Sequence, residues 1–285
     1  MANRIYITET PRDAMQGWGK IIPVDLKVAY INQLLKAGFL SVDVGSFVSP
    51  KAIPQMADTL EVISRLETTG SSSELMVITG NKRGGLQASL VDPIRFVAFP
   101  YSVSPTFLQK NLNATPEQAW DTIRDLNSIC HNSGKLLQVY LAMAFGNPYK
   151  DRWNEDIVVK DAESLVSMGV RHLAFSDITG QASAEVIYSL CSRLLMALPG
   201  VRLSIHLHSS PGNWEPKVEA AWQAGFRYFE AALGGFGGCP MSGYELVGNL
   251  NTANLVKWCT KKNIIHGLNE TVLGEALTFT SRVFS

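Results

Sequence analysis

A (β/α)8 TIM barrel in a single domain spanning residues 1–285 is the fold class that the sequence predicts, on three observations. Eight short β-rich runs recur along the chain, most are followed by a stretch with helical spacing, and no Pro/Gly/Ser linker or low-complexity tract divides the 285 residues. Strand-helix alternation implies parallel strands with helical crossovers, and a count of eight favours closure into a barrel over an open doubly wound sheet. The length agrees, because this architecture routinely runs to about 250 residues as one unit.

The elements follow in order. The first run is Ile5–Thr8. An apolar-faced helix over Asp25–Lys36 stops at Ala37-Gly38 and delivers the second run, Phe39–Asp43. Leu75–Ile78 and Phe96–Phe99 are the third and fourth. Thr115-Pro116-Glu117 opens a helix with a capping residue and a proline at its first position; it runs towards Cys130, stops near Gly134 and leads to Leu136–Ala142. Helical spacing over Asp156–Met168 before Gly169 precedes His172–Ser176. Val201–His208 is the seventh run, Glu215–Ala224 before Gly225 the next helix, and Tyr228–Ala231 the eighth run.

Composition narrows the function. Hydrophobic residues make up 46% and charged residues 18%, an ordinary globular balance, and no membrane-length apolar run is present. Twenty-five basic residues cancel twenty-five acidic ones, so no global field draws in nucleic acid or an anionic membrane, and an anionic ligand must be held locally. Cys130, Cys191, Cys239 and Cys259 are widely spaced with no CxxC pair, which argues for reduced thiols in a cytoplasmic compartment and against a zinc ribbon. MANRIYITET enters a β-like alternation at once, leaving no room for a signal or transit peptide, and SRVFS carries no readable sorting signal.

In such a barrel the active site sits at the carboxyl ends of the strands, and polar residues collect there. Arg12, Asp13 and Gln16 follow the first run, Asp43 ends the second, Asp177 follows the sixth, His206 and His208 end the seventh, and the loop GGFGGCP leads from the eighth to Asn249. Residues two apart on a strand share a face, so both imidazoles can reach one point in the barrel mouth. Closure makes the first, seventh and eighth strands neighbours, so Asp13, His206, His208 and Asn249 can converge. Two nitrogens with carboxylate and amide oxygens suit a divalent cation such as Mg2+ or Mn2+. The bland alternative for His-Leu-His is a strand end with solvent-facing histidines. Arg12 reads either as a surface ion pair with Asp13 or as the group that stabilises an enolate oxygen. The glycines of Leu233 to Pro240 permit mobility or close approach to a ligand, and Cys239 reads either as a structural thiol or as an acid or base over the site.

The strings TPRDAMQ, GSFVSPKAIPQM, FGNPY, FSDITG, HLH and GGFGGCP, in that order over nearly the whole chain, resemble the 3-hydroxy-3-methylglutaryl-CoA lyase family of the DRE-TIM metallolyases. The resemblance implies a homodimeric enzyme acting on an acyl-CoA. It implies Asp13, His206, His208 and Asn249 as ligands of a Mg2+ or Mn2+ ion, Arg12 polarising the thioester carbonyl and Cys239 as catalytic thiol. It further implies Asp43, in place of the family's usual Glu, and Gln16, Ser46, Tyr140 and Asp177 at positions that meet the substrate. The chain departs from the family pattern at Asn147, in SDITG around Asp177, at Ser209 after the second histidine, and by one extra residue between Cys239 and Asn249.

The reaction implied is retro-Claisen cleavage of 3-hydroxy-3-methylglutaryl-CoA, or a close 3-hydroxyacyl-CoA, to acetyl-CoA and acetoacetate, as in leucine degradation. His206, Asp43 or a water at the ion serves as base, and Cys239 or a histidine returns the proton. The alternatives are a related aldolase or Claisen-type synthase acting on a keto acid, and a non-catalytic barrel that binds acyl-CoA.

Overall fold

The computed structural model describes residues 3–238 and 247–285. Its strands are β1 (Tyr6–Glu9), β2 (Ser41–Ser46), β3 (Glu74–Ile78), β4 (Ile94–Ser102), β5 (Leu136–Ala142), β6 (His172–Asp177), β7 (Arg202–Leu207) and β8 (Tyr228–Ala231). They close in sequence order into one barrel, and β8 pairs in parallel with β1, from Tyr6 opposite Tyr228 to Glu9 opposite Ala231. This is the (β/α)8 TIM barrel that the alternation predicts. No helix among the described residues is long and apolar enough to cross a membrane.

Local chemistry explains where the helices begin and end. Helix Pro116–Asn132 starts with a full capping box: the Thr115 hydroxyl accepts from the Gln118 amide while the Gln118 side chain reaches back to the Thr115 N–H. Helix Trp214–Ala224 stops at Gly225, whose φ of 112° belongs to the region that side-chain-bearing residues avoid.

The second strand lies later than the sequence suggests, at Ser41–Ser46 rather than Phe39–Asp43. Its register shifts between Asp43 and Gly45, and Gly45 packs so tightly on Thr59 that a Cβ would sit 2.4 Å from Thr59 Cγ2. Glycine and polar residues in a strand look like a strand end, but here they line a mouth. The fourth strand is likewise longer, carried through Pro100 to Ser102 by seven paired positions with β5.

Alternation sorts the side chains. The main core lies between strands and helices, and includes Ile7, Val42, Val97, Leu141, Phe175 and Ile205. A second, inner cluster of Met76, Ile78, Phe96, Ala98, Tyr140 and Ala174 fills the lumen beside β3 to β6. On the other side the lumen is polar. Thr8, Ser41, Asp43, His206 and Glu230 all lie buried there, on β1, β2, β7 and β8.

Candidate active site

The β1 run gives way at once to helix Pro11–Gln16, which starts with a proline. One turn of helix puts Arg12, Asp13 and Gln16 on the barrel mouth. Arg12 is 5% exposed and fully engaged: Nε and Nη2 donate to Asp43 Oδ2 at 2.9 and 2.6 Å, and Nη1 donates to Asp13 Oδ1 and Gln16 Oε1 at 3.1 and 2.8 Å. Gln16 Nε2 in turn donates to Asp13 Oδ1 at 2.7 Å. Burial pushes the Asp43 carboxyl up, against the pull of Arg12, to about 6. For Asp13 burial is outweighed by the charge of Arg12, then by the two histidines and Asn249, and it stays below the usual carboxylate range.

β7 and its extension aim both imidazoles at one point. Their Nε2 atoms lie 3.2 Å apart, and His206 Nε2 is 4.0 Å from Asp13 Oδ2. The opposite ring nitrogens are tied down: His206 Nδ1 donates to Glu230 Oε2 at 3.1 Å, and His208 Nδ1 donates to the Val247 carbonyl at 2.8 Å. In a neutral ring that leaves both Nε2 lone pairs facing each other, an arrangement that repels unless a cation or proton lies between. Burial lowers His206, but Glu230 and Asp13 more than offset it and hold it above the ordinary histidine value; burial and then the charge of His206 hold His208 below it.

Asn249 joins them because the chain returns alongside the end of β7. The Ser209 N–H donates to the Gly248 carbonyl and the Leu250 N–H to the Leu207 carbonyl, both at 2.9 Å. Asn249 Nδ2 donates to Asp13 Oδ2 and to the Phe236 carbonyl, at 2.7 and 2.9 Å, and its Oδ1 is buried without a partner among the described residues. Gly237 presses against this group: with φ of 96°, a Cβ there would lie 2.7 Å from both Asn249 Nδ2 and the Asp13 carbonyl. The glycine-rich loop therefore approaches the candidate ligands closely through its described residues. Cys239 lies outside the described residues.

The donor set fits the divalent cation that the sequence implies. Asp13, His206 and His208 each offer one ligand atom, and these lie within 4.8 Å of one another. The orphaned Asn249 oxygen is a fourth. Asp43 Oδ1 and Ser46 Oγ are also buried without a hydrogen-bond partner among the described residues.

A cavity of about 250 Å³ opens beside this cluster, with Arg12, Asp13, Gln16, Tyr140, His206 and His208 on its wall. Ser46 lines a neighbouring cavity of about 370 Å³ that shares Val48 with the first. Asp177 is placed otherwise than expected of a substrate contact. Alternation turns Ser176 to the cavity and Asp177 outward, where Lys217 Nζ donates to its Oδ2 at 2.7 Å and the Ala182 amide at 3.1 Å.

Glu230 was not among the candidates in the sequence. It accepts from Gln138 Nε2 at 2.9 Å, from the Tyr140 hydroxyl at 2.8 Å and from His206. The signal was present: in Tyr228-Phe229-Glu230-Ala231 the acidic residue shares the inward face with Tyr228, a position a buried carboxylate takes only with partners.

The fold and site are a parallel barrel with a buried Asp/His/His cluster and an arginine at its strand ends, and comparison with known proteins gives the family. The HMGL-like family profile matches residues 4–279; the chain belongs to this family. It is similar to the mitochondrial hydroxymethylglutaryl-CoA lyase of Bos taurus, at 29% identity over 94% of this chain and 82% of that protein. It is equally similar to the (R)-citramalyl-CoA lyase of Chloroflexus aurantiacus, at 29% identity over 86% of this chain and 80% of that one. Among solved structures, an HMG-CoA lyase from A. baumannii in complex with coenzyme A and 3-methylmalate superposes with a TM-score of 0.93 at 28% identity, covering 99% of this chain and 92% of that one. The protein is a carbon–carbon lyase of the DRE-TIM type.

Proposed function

We propose that this lyase cleaves a short 3-hydroxyacyl-CoA by retro-Claisen chemistry at a divalent site made of Asp13, His206, His208 and Asn249. The observation that carries this reading is the pair of buried Nε2 atoms 3.2 Å apart, with Asn249, whose Oδ1 has no partner among the described residues, bonded to Asp13. Asp13, His206, His208 and Asn249 would hold a Mg2+ or Mn2+ ion, which would supply Lewis acidity towards a hydroxyl and charge neutralisation.

The chain's own residues supply the rest. In this reading Asp43 is the base: both Arg12 hydrogen bonds fall on its Oδ2, its Oδ1 has no partner among the described residues, and with its carboxyl raised to about 6 it accepts a proton near neutral pH. His206 is less suited, since Glu230 and the ion site hold its two nitrogens. Arg12, kept charged by Asp43 and Asp13 despite its burial, faces the oxygen of the acetyl-CoA enolate. Tyr140 and Gln16 line the same wall, and Cys239 returns the proton to the enolate carbon. In this reading the chain is one catalytic unit, homodimeric and cytoplasmic.

The test is acetyl-CoA release from a panel of 3-hydroxyacyl-CoA thioesters, with Mg2+ or Mn2+ and with chelator. A lyase loses activity to the chelator and regains it with metal; no cleavage of any thioester removes the reading in favour of a binding barrel. Replacing Cys239→Ser should leave Mn2+ bound while kcat falls about a hundredfold or more, and unchanged turnover would take the thiol out of the reaction.

A further inference from the structure

We infer that Glu9 is a positioning residue for the site: its carboxyl fastens to β1 both the chain that leaves β8 and the chain that returns with Asn249, and so sets Asn249 on Asp13. It rests on the divalent-site reading above only through the roles of Asn249 and Asp13.

Alternation turns Thr8 into the lumen, where it meets Ser41, and Glu9 outward into the layer between strands and helices. Its register partners there, Val42 on β2 and Ala231 on β8, both belong to the apolar main core. Glu9 is nevertheless 0% exposed. A carboxyl in such a layer is costly unless its oxygens are bonded, and both are: the Leu233 N–H donates to Oε1 and the Thr252 hydroxyl to Oε2, each at 2.6 Å. Burial pushes the group up to about 8, with only these two bonds pulling it down, so near neutral pH it is largely protonated and glutamine is its close mimic.

The two partners bracket the site. Leu233 lies on the outgoing residues 232–238, whose Gly237 presses on Asp13 and Asn249. Thr252 opens helix Thr252–Lys261, three positions after Asn249 on the returning residues 247–252. Those two segments are already zipped together, since the Ala232 N–H donates to the Leu250 carbonyl at 2.9 Å and the Thr252 N–H to the Ala232 carbonyl at 3.3 Å. Glu9 ties the zipped pair to β1. Asp13 stands four positions further along, on the helix that follows β1 at once, so the same carboxyl fixes the spacing across which Asn249 Nδ2 meets Asp13 Oδ2 at 2.7 Å. A ligand pair brought together from opposite ends of the chain keeps its geometry only through such outer contacts.

Three variants decide it beside the unaltered protein. Glu9→Gln keeps an acceptor for the Leu233 amide and a donor for the Thr252 hydroxyl, Thr252→Val removes one bond at nearly constant shape, and Glu9→Leu removes both. Two readouts are taken: Mn2+ affinity by calorimetry, and, on metal-free protein, the side-chain ¹⁵N–¹H signals of Asn249, assigned by their loss in Asn249→Asp. Affinity should fall about 10- to 100-fold in Glu9→Leu, fall less in Thr252→Val and return in Glu9→Gln. The Asn249 signals should shift in the leucine and valine variants and hold their place in the glutamine variant.

A lower Tm in Glu9→Leu with affinity and Asn249 signals unchanged would make Glu9 a packing residue and overturn the inference, as would glutamine behaving like leucine. Should the leucine variant fail to fold, unchanged affinity and signals in Thr252→Val overturn it alone. If the unaltered protein binds no Mn2+ while the Asn249 signals still move as expected, the divalent-site reading fails and the positioning role of Glu9 stands.

Discussion

Two buried ion pairs in this barrel differ in what they leave unfinished. Lys217 with Asp177 is closed: the ammonium spends its protons on Asp177 Oδ2 and the carbonyls of Gly180 and His208, and the Asp177 carboxylate also takes the Ala182 amide. Arg12 with Asp43 is open: both bonds land on one oxygen and leave Asp43 Oδ1 buried and unmet among the described residues. Arg12 lines the cavity, whereas neither Lys217 nor Asp177 does. A buried charge with every partner supplied by the protein holds structure together, whereas one with an atom to spare is arranged around a molecule yet to arrive.

That contrast can be broken by experiment. The largest effect is expected at the open cluster: Asp13→Asn should cut Mn2+ affinity and turnover by about a thousandfold or more, with the circular dichroism spectrum and melting temperature unchanged. A large fall in Tm would mark Asp13 as a structural residue instead. At the closed pair, Lys217→Met leaves Asp177 buried without its cation and should cost about 3–5 kcal/mol of stability, measured by urea unfolding; a loss under about 1 kcal/mol would show the two pairs to be alike.

Asp43→Asn should lower kcat by about 10²- to 10⁴-fold with Mn2+ still bound. In the unaltered enzyme the sign of the pH dependence follows from the raised carboxyl. A base must be ionised, so activity should fall as pH drops through about 6, and a flat profile between pH 5 and 7 would move the base elsewhere. The smallest effect is expected at Glu230, which acts through His206. Glu230→Gln should weaken Mn2+ binding by about 10- to 100-fold, read by titration of the metal and by the ¹⁵N shifts of the His206 ring, which would show a change of tautomer. Unaltered ring shifts would leave Glu230 as packing alone.

Much of this was legible in the residues. The His-Leu-His run fixed two imidazoles on one face by strand period alone, and Arg12 and Asp13 were marked by their place after the first strand. Gln16 and Tyr140 line the cavity, and Asp43 meets Arg12. Asp177 was not legible in this way. Being polar at a strand end says that a residue is near the site, but its face depends on where the strand begins, and one position of register separates Ser176 in the cavity from Asp177 on Lys217. Ser46 lines the neighbouring cavity, just past a register shift at Gly45, where Thr59 packs closely, that no local pattern announces.

By itself, the chain's order of residues determined the alternation of eight strands with helices, the caps that bound them and the residue types able to hold a cation. These depend on near neighbours in the chain and on periodicity. Only closure of the barrel decided which of those groups meet: the tie of Glu230 to His206, the pairing of Asn249 with Asp13 across 236 positions, and the division of the lumen into a polar and an apolar half. Those are relations between strands far apart in sequence, set by register and by burial, where each polar atom must find a partner or be left for a ligand.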